Sequence, residues 1–379
     1  MAAGEAIAVQ DSGRGAAPAS GQEAGQPLEW RLALQQAGAL FDGAQVSGFG
    51  DDEAERLQAL SGAVMADLSH FGLIAVEGPD AQKFLASLFT GDVRLVSPSQ
   101  GQFTSWCDGK GRMLTTFWLF MRGEAYYLLL PMELLPSTLA RLRQFLLRSK
   151  TKITDASTDL VRLGLSGAGL EARLAAVLGG QPPMTRGETR EYNGCTLVAL
   201  PGAEQPRWLA VGPAEHIKAL WDGVQPGTLP VGEAAWALLD IVAHIPFLHS
   251  PTSGEFVPQM LNLEALGGLC FTKGCYPGQE VVARLQYRGQ LKRRLYLAYL
   301  DSDQIPSPGE KLYGGNSAES VGMVISAAPC QTGKVALLAV VVIEQKALGD
   351  IHLQDLQGPR LDFQEQDIPV HAGSINQHR

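Results

Sequence analysis

The sequence predicts an α+β protein that is built from more than one unit. Its 379 residues, 45% of them apolar, exceed the roughly 100 to 200 residues of a usual single domain. Two successive segments, 71–146 and 160–221, follow a similar order in which a strand, a helix, further strands and a second helix succeed one another. Beyond residue 291 the chain shows short strand-like runs separated by Pro and Gly turns. We therefore expect two split βαβ, ferredoxin-like units followed by a small β-barrel.

The first unit has the clearest element signals. The apolar run 71–76 predicts a buried strand, and Gly78-Pro79-Asp80 is typical of the start of a helix, which is expected over 81–89. Two strand-like runs, 102–107 and 113–120, flank an Asp-Gly turn and therefore predict a hairpin. A third strand is expected at 126–130. A helix follows, because leucines recur at spacings of 4, 3 and 4 at positions 135, 139, 142 and 146.

The second unit is predicted from the same kinds of pattern. Its expected elements are a strand at 160–165, a helix at 170–178, strands at 195–200 and 208–211, and a helix at 214–221. A Pro- and Gly-rich stretch, 225–230, predicts a linker, and an amphipathic helix is expected over 232–244.

These elements divide the chain into units and tails. We expect weak helix and loop over 28–60 and loose tails at both ends. The predicted division is a tail at 1–27, a first α+β domain at 28–155 with 228–288, a second at 156–227, a barrel at 289–366 and a tail at 367–379.

Composition narrows the classes of function. The net charge of -9 argues against nucleic-acid binding by the whole surface. Five cysteines without a CxxC pair fit neither a disulfide framework nor a zinc site, and they suggest reduced thiols in a cytoplasmic protein. The first 26 residues lack the features of a secretory signal, and no apolar run reaches 18 residues. We expect no membrane partner and no metal site.

The segment around Cys275 carries the strongest chemical signal. In Lys273-Gly-Cys-Tyr-Pro-Gly-Gln-Glu280, glycines permit tight backbone geometry, and Lys273, Arg284 and Arg288 supply positive charge nearby. Cations favour the thiolate form, so an exposed Cys275 would be a nucleophile or a ligand for a soft metal. A buried, inert thiol is the alternative, and it is the commoner fate of a free cysteine.

This stretch resembles the hallmark of the YgfZ family, Lys-Gly-Cys-Tyr-x-Gly-Gln-Glu. All fixed positions of the hallmark are matched at 273–280, with Pro277 in the variable place. Weaker similarity covers nearly the whole chain from about residue 60, including Thr90-Gly-Asp-Val93 and the turn 107–111. The resemblance implies a three-domain ring like that of the glycine-cleavage aminomethyltransferase, with a site for tetrahydrofolate or a derivative. It also implies an accessory role in the assembly or repair of iron-sulfur clusters, with tRNA-methylthiolating enzymes among the clients.

The family pattern assigns roles to individual residues. Cys275 would be the reactive thiol, with Lys273, Glu280 and Arg284 beside it. Phe71, which stands where close relatives carry tryptophan, and Trp236 would clamp the pterin, and Gln259 and Arg288 would also contact the folate. From the residues alone, Trp236 on a helix face next to Leu239 is more typical of a core residue than of a ligand contact.

Two other functions stay open at the level of sequence. A folate-dependent aminomethyl transferase would need a carboxylate on the strand after the hairpin, and 111–117 contains none. A tRNA- or protein-binding adaptor could use the cations at 284, 288 and 292–294, although the acidic chain and the lack of a known RNA-binding motif weaken direct nucleic-acid binding. These cations could equally be a solvated edge. We therefore rank an accessory protein above an enzyme.

Overall fold

The structure is a computed structural model that describes residues 26–315, 317 and 319–364. The predicted tails lie almost wholly outside the described residues. The helices in the described part are α1 Leu28–Gln36, α2 Asp52–Ser61, α3 Ala81–Ala86, α4 Leu135–Gln144, α5 Leu170–Leu178, α6 Ala214–Val224, α7 Glu233–Val242, α8 Gln279–Arg288 and α9 Ile343–Leu348.

The strands form three large sheets and one short hairpin. They are β1 Leu40–Asp42, β2 Gln45–Gly48, β3 Val64–Asp67, β4 Phe71–Glu77, β5 Gln102–Cys107, β6 Met113–Arg122, β7 Ala125–Pro131, β8 Lys152–Asp155, β9 Val161–Ser166, β10 Thr189–Tyr192, β11 Cys195–Leu200, β12 Arg207–Gly212, β13 Leu229–Val231, β14 Arg293–Asp301, β15 Lys311–Gly314, β16 Gly322–Gln331, β17 Lys334–Val342, β18 Ile351–Leu353 and β19 Leu361–Phe363.

The first sheet is antiparallel, with strand order β5-β6-β7-β4-β8. Its centre is made from apolar, β-branched and aromatic residues, as in the fully buried run of β4. The predicted hairpin is confirmed: β5 and β6 pair around the Asp108 turn, and the Asp108 carboxylate accepts hydrogen bonds from the backbone N–H groups of Lys110 and Arg112 at 2.9 Å.

The second sheet has the order β10-β11-β12-β9-β3-β13, and its last pair, β3 with β13, is parallel. Strands β3 and β13 come from segments that the sequence assigned to the first domain and to a linker. They cross the predicted division because β3 pairs with β9, about 100 positions away, and β13 pairs with β3 across about 165 positions. Local patterns do not report pairings between such distant residues. The buried Trp30 of α1 also packs with this second unit.

The third sheet curls into a nearly closed barrel, with the order β18-β15-β16-β17-β14-β19. A bridge between His352 and Arg360 brings its two edges together. This confirms the expected C-terminal barrel, whose closure protects strand edges from pairing with other chains. No helix in the described part of the chain is long and apolar enough to cross a membrane.

Helix α7 lies at the junction of these units. It contacts α2, β3 of the second sheet, and β16 and β17 of the barrel, and its buried residues lie on nearly every side. Its Trp236 ring packs on Gly164 of β9 so closely that a Cβ there would lie 2.5 Å from the ring. The helix is therefore fixed in position, and the side chains along it line the spaces between the units.

Candidate functional site

A cavity of about 290 Å³ opens beside Phe71, between the first sheet, α7 and the barrel. We call it the Phe71 cavity. It is lined by Gln45, His70, Phe71, Pro131, Met132, Glu133, Glu233, Ala237, Asp240, Ile245, Phe247, His249 and Ser326. Its position at the meeting of three parts of the chain is typical of small-molecule sites.

Aromatic rings form one side of the Phe71 cavity. The centroids of Phe71 and Phe247 lie 4.6 Å apart at an interplanar angle of 54°, and His70 packs on Phe71 at 4.5 Å. The Thr116 hydroxyl of β6 fixes the segment that carries Phe247, because it donates to Pro246 O at 2.9 Å and accepts from Leu248 N at 3.0 Å. The apolar wall is therefore held rigidly by the first sheet.

Three carboxylates also line the Phe71 cavity, and they differ in their partners. Glu133 accepts from His249 at 2.7 Å, and this hydrogen bond holds its pKa below the usual value. Asp240 accepts from the buried Arg207 guanidinium at 2.6 Å. Glu233, half-buried in the first turn of α7, has neither a hydrogen bond nor an ion pair with the described residues. Burial raises the pKa of Glu233 above its normal range, and the nearby His249 offsets only part of this rise.

Trp236 does not line the Phe71 cavity. It is 1% exposed, packs on Gly164, and carries the Arg207 guanidinium 4.5 Å above its ring centroid. The structure thus does not bring Phe71 and Trp236 together as two walls of one clamp. Phe247 instead packs against Phe71, and Trp236 is buried and helps to hold α7 in position.

The loop that carries Cys275 lies elsewhere on the surface. Cys275 is exposed and is not among the residues that line the Phe71 cavity. Lys273, only 7% exposed, donates to Phe89 O at 2.6 Å and Gly91 O at 2.9 Å, which ties the loop to the first unit. Burial lowers the pKa of Lys273 to about 8, although the charges of Asp92 and Cys270 act in the opposite direction.

Comparison with known proteins decides the family. Residues 20–186 match the model of the GCVT N-terminal domain. The chain is 32% identical over 281 residues to the tRNA-modifying protein YgfZ of Cronobacter sakazakii, covering 74% of this chain and 84% of that protein. The YgfZ protein of Pectobacterium carotovorum is 33% identical over 278 residues, covering 73% of this chain and 83% of its own. The chain belongs to the YgfZ family.

A solved structure agrees with this YgfZ assignment at the level of fold. The aminomethyltransferase of the glycine cleavage system from Bartonella henselae superposes with a TM-score of 0.72, covering 91% of this chain and 97% of that one, at 18% sequence identity. The expected aminomethyltransferase-like fold is thus confirmed.

The remaining YgfZ-type site residues lie on or beneath α8. Glu280 and Arg284 pair at 2.8 Å with side chains 85% and 71% exposed, so water screens the pair. Arg288 is exposed in the last turn of α8. Gln259 is buried, and its amide N–H donates to Val282 O at 2.7 Å, whereas its Oε1 has no hydrogen-bond partner among the described residues. In this structure Gln259 holds the helix behind Cys275 and does not line the Phe71 cavity.

The basic run that follows divides into two parts. Arg284 and Arg288 belong to α8, whereas Arg293 and Arg294 begin β14, and Arg294 pairs with Glu264 at 3.0 Å. The cations therefore do not form a single strand edge.

Sequence reasoning missed Glu233 and Phe247. Neither residue lies in a motif, and Glu233 reads as an ordinary acidic residue in the first turn of a helix. The signal that could have drawn attention to Phe247 is the dense aromatic and Pro content of 244–251 after a helix end. In the part of the chain that the structure describes, no group of three or more His, Cys, Asp or Glu side chains is placed to hold a metal ion.

Proposed function

We propose that this YgfZ-family chain is a folate-binding accessory protein that supports the assembly or repair of iron-sulfur clusters in client enzymes. Tetrahydrofolate or a derivative occupies the Phe71 cavity, and Cys275 acts as a reactive thiol toward a sulfur, cluster or metal species of the client. Enzymes of tRNA methylthiolation are the clients that fit the names of the YgfZ relatives.

The observation that carries the folate proposal is the unpartnered Glu233 carboxylate in a cavity that two phenyl rings also line. A pterin presents a flat face and, on one edge, a ring N–H beside an exocyclic amino group. The face packs on Phe71 and Phe247, and a carboxylate accepts both N–H donors of the edge side by side. The cavity of about 290 Å³ has room for the bicyclic head group, and the rest of the folate extends toward its opening.

Binding of the pterin would also remove an unfavourable feature of the free protein. Burial destabilises the ionised Glu233, and two donated hydrogen bonds would stabilise it. Affinity is therefore expected to fall as the pH falls through the raised pKa of Glu233, because the protonated form accepts fewer hydrogen bonds.

The role of Cys275 rests on its accessibility and on the anchoring of its loop. An exposed thiol can reach a partner protein, whereas the buried Cys107 and Cys195 cannot, and burial raises the pKa of both buried thiols. The Lys273 hydrogen bonds fix the loop relative to the first sheet. The exposed Arg284 and Arg288 on the adjacent helix leave a polar, partly basic surface for docking.

Calorimetric titration with tetrahydrofolate tests the binding half of the proposal. Phe71→Ala should weaken binding roughly 3- to 10-fold through lost stacking, and Glu233→Gln by about 10-fold or more through lost charge-assisted hydrogen bonds. Phe145→Ala, which removes a partly exposed phenyl ring on another face, is the matched control. Unchanged affinity in both cavity variants would place the folate elsewhere.

Complementation tests the thiol half. A strain lacking its own YgfZ protein is supplied with wild type, Cys275→Ala or Cys270→Ala, and tRNA methylthiolation is measured. We expect Cys275→Ala to bind tetrahydrofolate normally and to fail in rescue, whereas Cys270→Ala should rescue. Equal rescue by wild type and Cys275→Ala would remove this thiol from the mechanism.

A further inference from the structure

A second and larger cavity lies on the other side of α7. It has a volume of about 520 Å³ and is bounded by the loop before β12, the end of α7, the turn 262–266 and strand β14 of the barrel. We call it the Arg186 cavity. Its apolar lining includes Leu239, Val242, Leu266 and Leu297. Nothing in the function proposed above uses this space.

Two arginines reach the Arg186 cavity, and only one is neutralised. Arg207 pairs with Asp240 at 2.6 Å and also donates to Pro201 O and Leu239 O. Arg186 donates one hydrogen bond, to Ala265 O at 3.2 Å, and forms no ion pair with any described residue. A guanidinium carries five N–H groups, so four of those on Arg186 remain for a ligand.

The surroundings of Arg186 do not compensate for its charge. Partial burial lowers the pKa of Arg186, and no acid in the described part of the chain opposes this effect. Glu204, the carboxylate among the lining residues, is exposed to solvent. An oxyanion held beside Arg186 would supply the missing negative charge at a site partly shielded from water, where such a pair is stronger than at the surface.

The backbone at Arg186 is held in place by both α+β units. Gly187 O accepts from Gly101 N at 2.6 Å, and Gly187 N donates to Ala199 O at 2.8 Å. Gly187 has φ of +76°, and a Cβ there would lie 2.4 Å from Gly101 O, so the position requires glycine. A guanidinium on such a rigid support is pre-organised for binding.

His244 lies on the opposite wall of the Arg186 cavity. His244, which lines the Arg186 cavity just after α7, adopts a left-handed conformation with φ of +57°, which is uncommon for a residue other than glycine. Burial lowers the pKa of this imidazole, although a hydrogen bond with the Val242 backbone opposes the shift. The ring is therefore neutral at pH 7 and adds a polar contact without adding charge.

We propose that the Arg186 cavity binds a small organic anion, in which a carboxylate or phosphate group lies on the Arg186 guanidinium and a compact apolar body packs against Leu239, Val242 and Leu297. Both groups present two oxygens in the geometry of the guanidinium fork. The site is separate from the Phe71 cavity, whose lining contains three carboxylates.

Ligand-observed NMR on the full chain tests this site with benzoate, phenyl phosphate and the neutral analogue benzamide. Wild type should bind at least one anion and not benzamide. Arg186→Gln should weaken anion binding by about 10-fold or more, and Arg186→Lys should weaken it less. Arg148→Gln removes the same charge from an exposed turn after α4 and is the matched control.

The anion-binding proposal and the folate proposal can fail independently of each other. Anion binding should persist in Phe71→Ala and Glu233→Gln, and tetrahydrofolate binding should persist in Arg186→Gln, which also shows that this variant is folded. The proposal is overturned if wild type binds neither anion, if benzamide binds as well as benzoate, or if Arg186→Gln binds the anions like wild type.

Discussion

The two cavities on either side of α7 are electrostatic opposites. The Phe71 cavity contains an unpartnered carboxylate, Glu233, and the Arg186 cavity contains an unneutralised guanidinium, Arg186. Between them, Asp240 lines the first cavity and Arg207 lines the second, and the two side chains pair at 2.6 Å. The Asp240–Arg207 ion pair separates the two cavities, whereas the charges left unpaired on each side are the groups available to ligands.

Removing one partner of the Arg207–Asp240 ion pair between the cavities should have the largest effect on stability. Arg207→Met leaves Asp240 buried without its partner, and we expect a loss of about 3–5 kcal/mol in the free energy of unfolding, measured with urea. The double variant Arg207→Met/Asp240→Leu should recover much of this loss, because no uncompensated charge remains.

The surface pair of Lys218 and Asp222 gives the matched control. Lys218→Gln should cost less than about 1 kcal/mol, since exposed pairs contribute little. If Arg207→Met and Lys218→Gln lower the free energy of unfolding by similar amounts, the buried Asp240 carboxylate does not depend on Arg207.

Overpacking between Gly164 and the Trp236 ring should have the next largest effect on stability. Gly164→Ala places a Cβ against the Trp236 ring, and we expect a cost of about 1–3 kcal/mol, measured as a lowered thermal midpoint. Trp236→Phe in the same background should relieve part of the clash. Gly109→Ala, at a turn where a Cβ meets no atom within 4 Å, should change the midpoint little. If Gly164→Ala is as stable as Gly109→Ala, Trp236 is not the rigid support described above.

Removing the unpartnered acid should raise stability, with a clear pH dependence. Burial raises the pKa of Glu233 in the folded state, so the folded protein binds the proton more tightly than the unfolded chain and wild type loses stability as the pH rises through that raised value. Glu233→Gln should therefore be more stable than wild type at pH 7, by roughly 0.5–1 kcal/mol.

The difference in stability between wild type and Glu233→Gln should vanish below the pKa of an unfolded glutamate, about 4.3, where both chains are neutral at this position. Thermal unfolding across that pH range measures it. A gain that is independent of pH would mean that the charge of Glu233 is not its cause.

Replacing the unneutralised Arg186 should give the smallest change in stability. Arg186→Gln should stabilise the protein by up to about 0.5 kcal/mol, because it replaces a partly buried and uncompensated charge by a neutral amide. Unlike the Glu233 effect, this gain should not depend on pH between about 5 and 9, because a guanidinium stays charged there. Destabilisation by Arg186→Gln would indicate a structural role in place of ligand binding.

The elements were predictable from local patterns, and their assembly was not. Strands β5 and β11 and helix α5 match their predicted bounds, because alternation, capping and leucine spacing are properties of neighbouring residues. The pairing of β3 and β13 with the second sheet was missed, since it depends on contacts between distant segments.

The sequence by itself determined the α+β architecture, the C-terminal barrel and, through the motif at 273–280, the YgfZ family. Only the tertiary structure decided which side chains share a cavity. It placed Phe247 beside Phe71, buried Trp236 under Arg207, and turned Lys273 toward two carbonyl oxygens. The physical reason is that whether a charge is paired depends on the groups that folding brings within about 4 Å of it, and these come from anywhere in the chain.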